Sequence, residues 1–169
     1  SHYPLANVEV INSKVTRNNI DELVHSKNFN TTIDFFSIDV DSNDYWILKK
    51  MNLSNINVVC AEYNHWLGKD ESLTIEYNEN FKFQDNGLWG VSLKALTQLL
   101  KNKEFSLIAV DSAGSNAFFV NNKYSDKFEI LSSEKSYRSV GKHYNDERKK
   151  EIFNNVRENL NKLIKIKDI

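Results

Sequence analysis

Apolar residues fall in short runs separated by polar stretches, and the spacing inside each run predicts an element. Phe35, Phe36, Ile38 and Val40 form a continuous apolar run, the pattern of a parallel strand buried on both faces. Residues 56–63 and 105–111 read the same way. Val8, Val10, Ile11 and Val15 predict an earlier strand over 8–15, interrupted by Asn12 and Ser13. Between the strands, helical spacing takes over. Ile20, Leu23 and Val24 share a face of a helix capped by Thr16 and ending near Asn28. Tyr45, Trp46, Leu48 and Met51 make a short helix capped by Ser42 or Asn43. Leu93, Leu96, Leu99 and Leu100 make a strongly amphipathic helix starting at Ser92. Ile152, Phe153, Val156, Leu160, Leu163 and Ile164 predict a long helix over 146–166. Residues 116–120 are a last strand, and the four residues 112–115 before it are too few for a parallel crossover, so an antiparallel hairpin is expected. The alternation predicts an α/β domain whose mostly parallel sheet finishes with a C-terminal antiparallel strand. The irregular stretch from 67 to 86, with a short strand at 73–77, reads either as a lid or substrate loop or as a solvated connector. Residues 121–145 read as irregular and polar.

Composition narrows this picture only a little. A chain of 169 residues with 40% hydrophobic and 27% charged residues is one globular domain. Its formal net charge of -1 supplies no overall attraction to nucleic acid or to an anionic membrane. No apolar run approaches the roughly 20 residues of a membrane span, and no signal peptide is visible. The single cysteine, Cys60, sits in the apolar run Val58-Val59-Cys60-Ala61 and reads as a buried, reduced thiol, which fits a cytoplasmic setting. The sequence begins Ser1-His2 without a methionine, which points to a tag remnant or a partial chain.

The candidate chemistry lies where two of the strands end. Asp39, Asp41 and Asp44 follow the first buried strand, and Glu62, Asn64 and His65 follow the second. A strand, helix and parallel strand in succession form a right-handed unit, so both carboxyl ends face the same rim, where open α/β sheets bind ligands. Carboxylates there can hold a metal, act as a general base or hydrogen-bond ribose hydroxyls. They can equally cap the following helix, which Asp41, Asn43 and Asp44 are placed to do. Asp39, Asp41, Glu62 and Asn64 could offer oxygen ligands to Mg²⁺ or Ca²⁺, although their spacing is not that of an EF-hand. His65 is either a general base or a surface histidine. Arg138, His143 and Tyr144 either bind an anionic substrate or lie in a solvated loop. The glycines, Gly68, Gly87, Gly90, Gly114 and Gly141, are scattered and form no phosphate-binding signature, and no nucleophile elbow is present. Trp46, Trp89, Phe118 and Phe119 read as core.

Four segments together carry a resemblance: residues 36–46 (F-S-I-D-V-D-S-N-D-Y-W), 58–64 (V-V-C-A-E-Y-N), 92–96 (S-L-K-A-L) and 116–120 (N-A-F-F-V). They resemble the later part of FkbM-like S-adenosylmethionine-dependent methyltransferases, and V-T-x-x-N-I-D-E-L at 15–23 is similar to the segment before that family's fourth strand. The family's usual glycine after the second aspartate is Ser42 here, a change expected to tighten or re-aim the turn. The resemblance spans about residues 8 to 121. It implies a Rossmann-like three-layer sandwich, a partial class I methyltransferase fold holding strands three to seven and lacking one and two, so that the strand at 35–40 becomes a sheet edge able to pair into a homodimer. It further implies methyl transfer from S-adenosylmethionine to an oxygen of a small polar acceptor. That acceptor would be a sugar hydroxyl or a phosphate-like group on a nucleotide-linked precursor, in bacterial surface-polysaccharide or natural-product biosynthesis. Asp39 or His65 would be the base, with Asp39 and Asp41 toward the cofactor and Glu62, Asn64, Asn43 and Tyr63 toward the acceptor. In a metal-dependent version, Asp39, Asp41, Glu62 and Asn64 would hold Mg²⁺. The alternative is a non-catalytic binding or scaffold domain that keeps the architecture.

Overall fold

The computed structural model describes residues 8–26, 32–139 and 144–167. In chain order these form α1 (Ile20–His25), β1 (Ile33–Ile38), α2 (Asp44–Lys50), β2 (Ile56–Glu62), β3 (Leu73–Thr74), α3 (Leu93–Lys101), β4 (Phe105–Val110), β5 (Asn116–Asn121), α4 (Ser133–Ser136), α5 (Asp146–Glu158) and β6 (Ile164–Lys165), with short 3₁₀ turns between some of them. No helix among these residues is long and apolar enough to cross a membrane.

The central sheet has four strands in the order β1-β2-β5-β4. β1 and β2 run parallel, and β5 runs antiparallel to both β2 and β4, so β1, β2 and β4 share one direction. The fold is therefore α/β with a mixed sheet, and the expected hairpin of β4 and β5 is present. The antiparallel strand lies inside the sheet rather than at its border, because the free side of β5 pairs with β2 through Val58–Val120 and Cys60–Phe118.

The strand register sorts the side chains into two unequal faces. Phe36, Val59, Phe119 and Leu107 align across the sheet, followed by Ile38, Ala61, Ala117 and Val110. This face meets Ile47 and Leu48 of α2, Met51 beyond its end, and Leu93, Leu96 and Leu100 of α3 in one core. α3 starts as its sequence requires: the Ser92 hydroxyl accepts from the amide of Ala95, and the leucine stripe faces the sheet. The opposite face carries Phe35, Val58, Phe118 and Ala109, which are exposed or half-buried, beside the buried Cys60 and Val120. β1 is the edge strand, so it is not buried on both faces: Phe35 is 55% exposed, touching Phe118 with ring centres 6.5 Å apart.

Other expectations fail for local reasons. Residues 8–16 form no strand, and Val8, Val10 and Ile11 are exposed. Thr16 opens a turn in which the Asn19 side chain accepts from its amide and hydroxyl, so the helix starts at Ile20. It ends at His25, and Asn28 lies outside the described residues. The last helix stops at Glu158 rather than continuing to 166, since Ile164–Lys165 pairs with Leu73–Thr74 as a small second sheet. The segment 67–86 is anchored at its start, where Leu67 and Leu73 are buried, and largely exposed over 76–84. Trp66, Leu67, Leu73 and Trp89 bury themselves against Ile152 and Val156 of α5 in a second core. Gly87, at φ +79°, lies so close beneath α5 that a Cβ there would stand 2.6 Å from Val156 and 2.7 Å from Ile152.

The two faces of the sheet predict opposite responses to the same truncation. Phe119→Ala should cost about 3–5 kcal/mol in urea unfolding, and Phe35→Ala about 1 kcal/mol or less. Comparable losses from both would overturn the assignment of buried and open faces.

Candidate functional site

The turn between β1 and α2 builds the rim. The buried Asp44 carboxylate accepts from the amide of Val40 through Oδ1 and from that of Ser42 through Oδ2, both at 3.1 Å. Burial pushes its pKa up, opposed by these amides. Closing the turn this tightly drives Asp41 to φ +49° and Ser42 to φ +111°, a region that disfavours any side chain. Ser42 is fully buried and its hydroxyl has no hydrogen-bond partner among the described residues. Asn43 occupies the helix-cap position without making the capping bond. Its side chain instead donates to the carbonyl of Asn78 at 2.9 Å and accepts from the amide of Asn78 at 3.1 Å, fastening the following loop to the rim.

Asp39 and Asp41 are exposed on the outer side of this turn. Glu62, half-buried at the end of β2, faces them. Burial, followed by the charges of Asp39, Asp44 and Asp41, pushes its carboxyl pKa from an ordinary 4.5 up to about 8. The structure therefore brings together four carboxyl groups at one rim, and it makes Glu62 the one that keeps its proton near neutral pH. Its register partner on β5 is Asn116.

The other expected site residues do different work. Asn64 is buried and saturated by the chain: its amide donates to the carbonyls of Gly87 at 2.9 Å and Trp89 at 2.6 Å, and its oxygen accepts from the amide of Trp66 at 2.8 Å. It is a tether for the segment 85–91 and has no group left for an acceptor or a metal. Tyr63 is likewise buried, its hydroxyl donating to the Arg138 carbonyl at 3.3 Å and accepting from the Arg138 amide at 3.4 Å. Both residues leave the set available to a substrate. The four proposed metal ligands do not form a coordination shell, and among the described residues no three His, Cys, Asp or Glu side chains are placed to hold a metal ion.

His65 is not a surface histidine. Its Nδ1 lies 3.1 Å from the Gly114 carbonyl, which can only accept, so Nδ1 carries the proton and Nε2 is a bare acceptor. Burial pushes the imidazole pKa down, opposed by that carbonyl, and the ring is neutral at pH 7. The hairpin that supplies Gly114 is held by Asp111, whose Oδ1 accepts from the amides of Gly114 at 2.7 Å and Ser115 at 2.9 Å. The Tyr137 hydroxyl donates to the His65 carbonyl at 2.6 Å. His143 lies outside the described residues. The Tyr144 hydroxyl donates to Asp85 at 2.9 Å rather than presenting itself to an anion. Cys60 is buried and unpaired, as its sequence surroundings indicated.

Comparison with protein-family models, with curated proteins and with solved structures finds no match for this chain. The chemistry of the site rests on its own residues.

Two measurements test the geometry of the rim. Ser42→Gly removes a strained φ and a buried unpaired hydroxyl, and should raise stability by about 1 kcal/mol in urea unfolding, net of the extra freedom of glycine in the unfolded chain. A clear loss would mean that the side chain contributes more than the strain costs. Glu62 should govern a pH dependence of opposite sign to that of a salt-bridged carboxylate. Between about 4.5 and about 8 the unfolded chain has released this proton while the folded chain retains it, so stability falls as pH rises through that window. Glu62→Gln should flatten that part of the stability profile; an unchanged slope would remove Glu62 as its source.

Proposed function

We propose that this chain carries the acceptor side of an S-adenosylmethionine-dependent methyltransferase that methylates an oxygen of a small polar acceptor, of the sugar-hydroxyl or nucleotide-linked kind. The observation that carries the reading is Glu62, a carboxyl with a pKa near 8 at the carboxyl-end rim of a parallel strand pair. A group of that pKa is matched to removing a hydroxyl proton near neutral pH. The directions of β1, β2, β4 and β5 agree with the sheet expected for the later part of a Rossmann-like methyltransferase, which supports the same reading.

In this reading Glu62, once ionised, would take the proton of the acceptor hydroxyl as its oxygen bonds the methyl carbon and the carbon–sulfur bond breaks, the neutral thioether leaving. Asp39 and Asp41 are exposed acceptors at the same rim, and suit the hydroxyl and ammonium groups of the cofactor. The cofactor, when bound, supplies an electrophilic methyl on a sulfonium. Asn43 positions the rim by holding Asn78, while Tyr63 and Asn64 hold the loops around it. No step is assigned to Mg²⁺, because among the described residues no three His, Cys, Asp or Glu side chains are placed to hold a metal ion.

Incubation with methyl-labelled S-adenosylmethionine and a panel of sugar and nucleotide-sugar acceptors should give a labelled product at a rate that rises with pH toward about 8. Glu62→Gln should lower that rate by roughly 10²- to 10⁴-fold and leave the calorimetric affinity for S-adenosylhomocysteine nearly unchanged. Full activity in the variant would exclude Glu62 as the base. Absence of heat with S-adenosylhomocysteine from the complete protein would instead favour a non-catalytic binding domain.

A further inference from the structure

Three buried polar atoms outside the carboxylate rim have no hydrogen-bond partner among the described residues: Asn57 Oδ1 at the start of β2 and, as a neighbouring pair beyond its end, His65 Nε2 and Trp89 Nε1. The two ring nitrogens are opposite in kind. The Gly114 carbonyl fixes the proton on Nδ1, which leaves Nε2 as an acceptor, and an indole nitrogen can only donate. Their rings are neighbours, with centres 6.4 Å apart and planes at 89°. The walls around them are aromatic: Trp66 lies 5.1 Å from the imidazole and Phe83 lies 5.8 Å from the indole. The backbones that carry both rings are held in place. The His65 carbonyl is held by Tyr137, and the Trp89 carbonyl is held by Asn64.

A buried donor and a buried acceptor left unmade cost about 1–3 kcal/mol each. A carboxylate could satisfy the indole but not Nε2, and an ammonium could satisfy Nε2 but not the indole. A hydroxyl does both, since its oxygen accepts while its proton is donated. One oxygen hydrogen-bonded to both nitrogens would lie about 2.8 Å from each.

We propose that His65 and Trp89 form a binding site for a single hydroxyl group, filled by the alcohol of a ligand or by a water molecule in its place. The site takes neutral O–H groups and rejects carboxylates and ammonium groups. It does not depend on methyl transfer, and it assigns Trp89 a recognition role that its apolar neighbours in the sequence conceal.

Nuclear magnetic resonance on the intact ¹⁵N-labelled chain tests this without relying on a variant that folds. Trp89→Phe identifies the Trp89 indole resonance by its loss. An exchange-filtered cross-peak from that indole proton to water, persisting through titration with methyl α-glucopyranoside, would assign a resident water. Replacement of the water peak by saturable shifts of the indole proton and of His65 Nε2 would assign an alcohol ligand. Titration with acetate or methylammonium should move neither resonance. Absence of any contact from the indole proton to water or to the glucoside, or an Nε2-protonated tautomer of His65, would overturn the proposal.

Discussion

The grip of one buried carboxylate on two backbone amides sets the geometry of everything at the rim. Asp44 holds Val40 and Ser42, and in doing so converts the end of a strand into the start of a helix within six residues of Ile38. The turn is strained at Asp41 and Ser42, and that strain is the cost of bringing Asp39 and Asp41 beside Glu62. The proton on Glu62 follows from burial first and from this crowding second. Burial alone disfavours its charge, and three acidic neighbours disfavour it further. A structural interaction at the helix start thus adds to the burial that keeps a residue on the next strand protonated.

A second set of polar contacts organises the irregular half of the molecule. Asn64 replaces backbone pairing for Gly87, Trp89 and Trp66, and Asp111 closes the hairpin that anchors His65. These side chains do inside the protein what sheet ladders do elsewhere, satisfying backbone groups where no strand partner is at hand. Their saturation is the reason that the polar residues of β2's extension divide into two groups. Glu62 keeps its chemistry available, whereas Tyr63 and Asn64 commit theirs to the fold.

The elements with strong local signals were legible from the sequence. The leucine stripe after Ser92, the apolar runs at 56–62 and 105–110, and the four-residue hairpin each had one physical solution. The carboxylate rim was legible too, because its residues sit at two strand ends whose parallel pairing puts them together. What escaped the sequence depends on long-range partners. Phe35 reads as core because apolar runs carry no mark of whether a neighbouring strand covers them. Ile164 reads as helical because its pairing with Thr74 lies ninety positions away in the chain. Asn64 reads as a ligand residue because an amide's partners cannot be counted until the loop at 85–91 is folded onto it.

Gly87 carries a consequence for how this protein can change. Its missing side chain lets α5 settle directly on the backbone of the loop, with Ile152 and Val156 filling the space a Cβ would take. One residue added to or removed from a helix rotates the remaining turns by about 100°. An insertion between Asn145 and Ile152 would therefore turn both contacts away from the only place they fit. Evolution can lengthen the exposed stretch around 122–130 freely, but α5 is fixed in phase by a residue that has no side chain at all.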